Sequence, residues 1–201
     1  MKNKMFVVMI MLLTFSLVTT GCGLLQGQQQ KSSTASEVKE VELGYVQWAS
    51  AEASTHLIAK VLERAGYDVK TSALQAGALY AGVAKSDLDA LVCAWLPQTQ
   101  KSYWDKYSDQ LVDLGANFNN AKIGLVVPKY VEADSIAELK DNANKFNKEI
   151  VGIDPGAGIM GVTKKKTMTN YGLEDWKLIK SSGPAMTASL KKAIKKKKPI
   201  V

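Results

Sequence analysis

The sequence predicts an α/β fold built from alternating strands and helices. Three observations predict it. Short apolar runs bounded by glycine or proline recur through residues 41–201. The stretches between them carry apolar residues at helical spacing. One junction, residues 151–162 (VGIDPGAGIMGV), runs an apolar strand into a glycine-rich turn and then a helix, the layered strand–helix pattern itself.

Taken in order, residues 41–48 (VELGYVQW) read as the first strand. Ser50 or Ser54 is placed to cap a helix whose apolar positions Leu57, Ile58, Val61, Leu62 and Ala65 share a face, and Gly66 ends it. Residues 67–73 form a second strand, 77–85 a short helix, and 90–96 a third strand stopped by Pro97. A helix over 104–114, a strand over 122–127 broken by Pro128, and a helix over 135–144 capped by Ser135 follow. The pattern then starts afresh, with a strand over 149–153, a helix over 158–170 ended near Gly172, a strand over 176–180 and a helix over 184–195. Pro199, Ile200 and Val201 begin one more strand. Two strands and a stub bury little surface by themselves. The sequence therefore reads as a first lobe over 41–128, a connecting segment over 129–148, and an incomplete second lobe over 149–201, in a fragment or the product of a truncated gene.

The N-terminus reads as an export signal over 1–21. Lys2 and Lys4 precede an apolar run over 5–18 that falls short of the ~20 residues needed to span a bilayer. Thr19-Thr20-Gly21 before Cys22 resembles a bacterial lipobox, which implies cleavage before Cys22 and a diacylglycerol on its thiol; the plainer alternative is a secretory signal with a chance cysteine. Residues 22–40, rich in Gln, Ser and Gly, read as a flexible tether.

Composition excludes several functions. Cleavage removes Lys2 and Lys4, so the net charge of +7 falls to +5. The surplus sits in Lys164–Lys166 and in Lys191, Lys192 and Lys195 to Lys198. These read as solvated helix faces, with attraction to anionic lipid the minor alternative. Nucleic acid is a poor partner for an exported chain with one arginine, Arg64. Cys93 is left single in LDALVCAWL, a buried inert thiol with no disulfide partner. The single histidine, His56, reads as a surface or boundary residue, and no ligand spacing supports a metal.

The chemistry-bearing residues are few. Gly156, Gly158 and Gly161 let the backbone approach a ligand closely, and the N–H groups opening the next helix suit an anion. Trp48 and Trp95 stand at or near strand ends, and their π faces suit a cation without hydrogen-bond donors. An anion seat beside aromatic walls points to a small zwitterion such as a betaine. Taken alone, strand-end tryptophans are more often packing than ligand contacts.

The strings GYVQWASAEASTHLIAKVLE, DALVCAWLPQTQKSYWDKY, KIGLVVPKY, VGIDPGAGIM and SGPAMTASLKKA, in this order, resemble the glycine betaine-binding proteins of ABC importers, the OpuAC type. The resemblance covers nearly all of residues 41–201. It implies a type II periplasmic-binding-protein fold, with two α/β lobes closing on a ligand in the cleft. It implies that Trp48 and Trp95 are two members of a three-tryptophan cage around a trimethylammonium group, and that the amides of Gly158 and Ile159 hold the carboxylate. It places the third cage tryptophan in a segment that would follow Val201. Where the family often has a histidine on the carboxylate, this chain has Gln100, able to donate a neutral hydrogen bond only. Trp104 and Trp176 match no cage position and read as packing; Tyr80 and Met160 are placed to line the cleft, Met160 rather as core.

The resemblance further implies no catalysis, no cofactor, and a permease and ATPase complex as partners; the lipobox-like residues before Cys22 imply a lipid anchor on the outer face of a bacterial membrane. Two other readings remain beside it. One is a truncated product with little or no ligand binding. The other is a dinucleotide-dependent oxidoreductase: residues 156–161 also fit G-x-G-x-x-G, with Glu174 and Asp175 near the position of a ribose ligand. Export, the intervening Asp154-Pro155 and the lack of a catalytic base oppose that enzyme.

Overall fold

The computed structural model describes residues 39–201; the signal over 1–21, Cys22 and the tether as far as residue 38 lie outside the described residues. β1 (Glu40–Tyr45) is the centre of a parallel three-stranded sheet ordered β2-β1-β3, with β2 (Asp68–Ala73) paired along six positions and β3 (Ala90–Leu91) along two. α1 (Ala49–Arg64) and α2 (Ala76–Ala84) are the crossovers that parallel pairing requires. Val46, Ala76, Leu79 and Leu88 form the buried centre of this lobe. Gly44 has a packing reason: a Cβ there would stand 2.5 Å from Leu79 Cδ2 and 2.7 Å from Leu88 Cδ1.

α3 (Lys101–Tyr107) and a 3₁₀ turn (Ser108–Gln110) follow. The second sheet pairs β4 (Glu149–Val151) with β5 (Lys177–Ile179), again in parallel. Between them run α4 (Gly158–Val162), a π-helical turn (Thr163–Thr167) and α5 (Met168–Asn170), which continue one another. α6 (Gly183–Lys195) closes the order. Its start is well specified, because Ser182 Oγ accepts from the Ala185 N–H at 3.3 Å and Pro184 occupies the first turn. Leu139, Phe146, Ile150, Met168, Leu173, Trp176 and Val201 make the second core, and Leu125, Val127, Val131 and Ile136 pack on it. Chain from residue 125 onward thus contributes to this core.

The structure corrects several sequence expectations. The strand over 122–127 does not form, and the third strand shrinks to Ala90–Leu91. A strand exists only where a neighbour completes its ladder, and no described strand pairs with residues 122–127. The helix over 135–144 becomes 3₁₀ turns at Ala137–Leu139 and Ala143–Phe146. There the Asn142 side chain donates to the Glu138 carbonyl at 2.9 Å, the local competition that disfavours asparagine in helices. The helix over 104–114 starts earlier and ends at Tyr107.

Neither Ser50 nor Ser54 caps α1. Trp48 is the capping residue, with no side-chain cap bond, and Ser54 Oγ donates to the Ala51 carbonyl at 3.2 Å. Ala51, Thr55 and Ala59 are the α1 residues buried against the sheet, while Leu57 stays 65 % and Val61 54 % exposed. Small side chains at i, i+4 and i+8 allow the helix its close approach and turn the bulky stripe outward. Cys93 is half-buried, not fully enclosed. No described helix is long and apolar enough to cross a membrane.

Candidate functional site

A cavity of about 720 Å³ lies between the two sheets. Its walls come from chain just beyond the C-terminal ends of parallel strands: Trp48 after β1, Trp95 after β3, Ala157, Gly158 and Ile159 after β4, and Gly183 to Thr187 after β5. Ligands collect there in open α/β sheets because loops diverge and helix N-termini converge. Four sequence-predicted residues, Trp48, Trp95, Gly158 and Ile159, line this one cavity.

Both tryptophans are held by identifiable bonds. Trp48 is half-buried; its N–H donates to the Val46 carbonyl at 2.7 Å and its carbonyl accepts from Glu52 N–H at 2.9 Å. Its indole Nε1–H crosses to the other lobe and donates to Asp154 Oδ2 at 3.3 Å. The main chain of Trp95 is clamped from both sides: its N–H donates to Gln100 Oε1 at 2.8 Å, and its carbonyl accepts from the Gln100 N–H at 3.1 Å and Thr99 Oγ1 at 3.2 Å.

The glycine turn leaves some of its main-chain N–H groups without turn partners. Ala157 N–H and Met160 N–H are used within the turn, on the Asp154 and Ala157 carbonyls. Among the described residues no turn or loop bond takes up the N–H of Gly158 or Ile159. They open α4 and its continuation to Asn170, where first-turn N–H groups have no intrahelical acceptor. Gly158 is also the tightest point of the seam: a Cβ there would overlap the Thr99 carbonyl and stand 2.7 Å from Thr99 Cβ. A Cβ on Gly161, by contrast, meets nothing within 4 Å. The third glycine of a dinucleotide turn serves close helix–strand packing, so the G-x-G-x-x-G match lacks its physical basis here.

Gln100 is not among the cavity residues. It is 2 % exposed, and its Oε1 accepts from both the Trp95 N–H and the Tyr80 O–H, the latter at 3.0 Å. Its side chain thus bonds the Trp95 main chain and Tyr80 and does not line the cavity. Tyr80 is likewise buried beneath the site, and burial, aided by the charges of Cys93 and Asp113, pushes its phenol from 10.0 up to about 12. Tyr103 donates across the seam to the Gly156 carbonyl at 2.7 Å; burial first, then the Asp154 charge, raises its phenol. Met160 belongs to the core and borders a smaller apolar cavity of about 230 Å³. Trp176 is packed in the second core and Trp104 is half-buried on α3. His56 is exposed, with its ring edge-on to Tyr45 at 5.5 Å.

Sequence reasoning missed Asp154, Thr99 and the start of α6 as parts of this seam. The Ser182-Gly183-Pro184 cap signal and the rule of strand C-terminal ends were sufficient to find the last of these. Among the described residues no cluster of three or more His, Cys, Asp or Glu is placed to hold a metal ion.

Comparison with known proteins gives concordant results. The family OpuAC, described as the substrate binding domain of ABC-type glycine betaine transport systems, matches residues 39–201. A glycine betaine/carnitine transport binding protein, GbuC, of Listeria monocytogenes serotype 1/2a (strain 10403S) is 42% identical over 102 residues, covering 50% of this chain and 34% of that protein. Lactococcal OpuAC in its closed-liganded conformation with glycine betaine superposes with a TM-score of 0.75 at 44% identity, over 81% of this chain and 63% of that one. The glycine/betaine/L-proline-binding protein ProX of Borrelia burgdorferi gives a TM-score of 0.75 at 37% identity, over 81% and 61%. The match thus spans about a third of the curated relative and under two thirds of the solved chains.

Proposed function

The chain belongs to the family of substrate-binding domains of ABC-type glycine betaine transport systems, and from that premise we propose that its cavity captures glycine betaine or a related quaternary ammonium compound. One observation carries the reading: Trp48, Trp95, Gly158 and Ile159 line the same cavity. A trimethylammonium group has no N–H and is weakly hydrated, so aromatic faces stabilise it by about 0.5–1 kcal/mol each when exposed and ~2 or more when desolvated. The carboxylate end pairs with main-chain N–H groups at a helix start. Gln100 acts indirectly, by fixing the Trp95 loop.

In this reading the loaded protein hands its ligand to a membrane permease and ATPase complex. Titration calorimetry tests the capture step. Glycine betaine is expected to bind, glycine is not, and Trp95→Ala is expected to weaken glycine betaine at least tenfold. Equal binding of glycine and glycine betaine would remove the cage from the account.

A second reading, that this 201-residue chain holds its ligand weakly or not at all, is favoured by apolar side chains open to water. Val112, Leu114, Phe118 and Val126 are 85 %, 91 %, 75 % and 72 % exposed. Cleft closure draws on both lobes and on what joins them. The same titration decides, since no heat with glycine betaine from a folded sample supports the second reading.

Anchoring rests on the lipobox-like residues before Cys22. The mature protein is expected to sediment with membranes, and Cys22→Ser to move it to the soluble fraction. Unchanged sedimentation would contradict lipid on that thiol.

A further inference from the structure

Asp154 is the one buried carboxylate among the described residues, 8 % exposed, and it stands in the loop beyond β4 without lining the cavity. The four ion pairs of the described residues, Lys60–Glu63, Lys70–Glu40, Lys101–Asp105 and Lys148–Asp175, are all elsewhere. Its Oδ1 is shut from water and has no hydrogen-bond partner. Its Oδ2 accepts a side-chain bond from the Trp48 indole, 106 residues away on the other lobe. The two lobes meet beside it, where Asp154 Oδ1 and the Tyr103 hydroxyl each lie 3.5 Å, ordinary contact distance, from the point where a Cβ on Gly156 would stand.

Burying a carboxylate with so few partners is unfavourable, so its placement calls for a role. Tryptophan has a single polar atom, the indole Nε1–H. An acceptor aimed at that atom sets the orientation of the whole ring.

We propose that Asp154 is a positioning residue that locks the Trp48 indole across the seam, so that approach of the lobes and orientation of one aromatic wall are a single event. The proposal rests on the reading of Trp48 as a cage wall. Asp154 acts through Trp48 and does not touch the ligand.

Two measurements test it, one of them free of ligand. Exchange of the Trp48 indole N–H, assigned by its loss in Trp48→Phe, is expected to be slow in the parent chain. It is expected to become at least tenfold faster in Asp154→Ala and to stay near the parent rate in Asp154→Asn, whose amide oxygen accepts the same bond. Unchanged exchange in Asp154→Ala, or equal acceleration in the asparagine variant, overturns the lock. In glycine betaine titrations, Asp154→Ala and Trp48→Phe are each expected to weaken binding about tenfold. The double variant is expected to be no weaker than either single one, whereas multiplicative losses overturn the proposal. Where the alanine variant does not fold, Asp154→Leu, of similar size and without an acceptor, takes its place in both measurements with the same expected and overturning results, while Asp154→Asn is expected to keep parent-like exchange and affinity. A parent that shows the exchange pattern but binds no glycine betaine counts against the proposed function while supporting the lock.

Discussion

Trp176→Ala is expected to lower the stability of this protein by about 3–5 kcal/mol, the range for truncating a buried aromatic. The side chain is 4 % exposed and sits among Leu139, Phe146, Ile150, Met168, Leu173 and Val201, with its ring centroid 6.1 Å from that of Phe146. Those neighbours are held in place by the β4–β5 ladder and by backbone bonds such as Val151 N–H to the Val201 carbonyl, so little collapse into the void is open to them. For a domain of this size each kcal/mol moves the midpoint by roughly 2–4 °C, which predicts a fall of about 6–20 °C in thermal unfolding followed by circular dichroism. A fall under 3 °C would show that the ring carries no packing weight. Trp104→Ala, at a half-buried position on α3, is expected to cost clearly less.

Gly158→Ala is expected to act in the opposite compartment of the molecule's energetics, costing affinity rather than stability. Residue 158 is not at a positive φ, and alanine is intrinsically the better helix former by roughly 0.5–1 kcal/mol. The local backbone therefore accepts the substitution. What does not accept it is the facing lobe, where the new methyl group overlaps the Thr99 carbonyl. Backbone cannot swing aside as a side-chain tip does, and overpacking of this kind costs about 1–3 kcal/mol. Glycine betaine affinity is expected to fall about ten- to a hundredfold, with the thermal midpoint within about 4 °C of the parent. A calorimetric titration showing parent-like affinity would mean that the seam around Thr99 does not hold the ligand-bound arrangement.

Much of the first lobe was legible because its determinants are local. β1, β2, α1 and α2 each follow from an apolar run or helical periodicity, and Gly66, at φ +93, ends α1 where the sequence placed its stop. The run 122–127 is as strand-like as any, yet whether it becomes a strand depends on a neighbour that no local pattern encodes. The outward Leu57 and Val61 teach the same lesson for helices. Hydrophobicity marked one face of α1, while the close approach to the sheet selected Ala51, Thr55 and Ala59. At the site, glycine and tryptophan advertise themselves by type. Gln100 and Asp154 do not, since their parts are set by two oxygens whose partners are five and 106 residues away.

Every ladder in the described residues is parallel, and that has a kinetic consequence. No strand pair closes through a hairpin, so bonds between neighbouring strands join residues such as Glu40 and Lys70, 30 apart, and Glu42 and Asp89, 47 apart. Lys148 and Asp175, flanking the second sheet, are 27 apart. The entropy of closing such loops is lost before any sheet contact rewards it, which places the rate-limiting step in long-range docking rather than in helix formation. Mixed and non-local topologies of this kind fold more slowly than helical bundles of equal stability. Between synthesis and docking the chain spends its time with formed helices and unjoined strands, and its strand edges are then open to other chains.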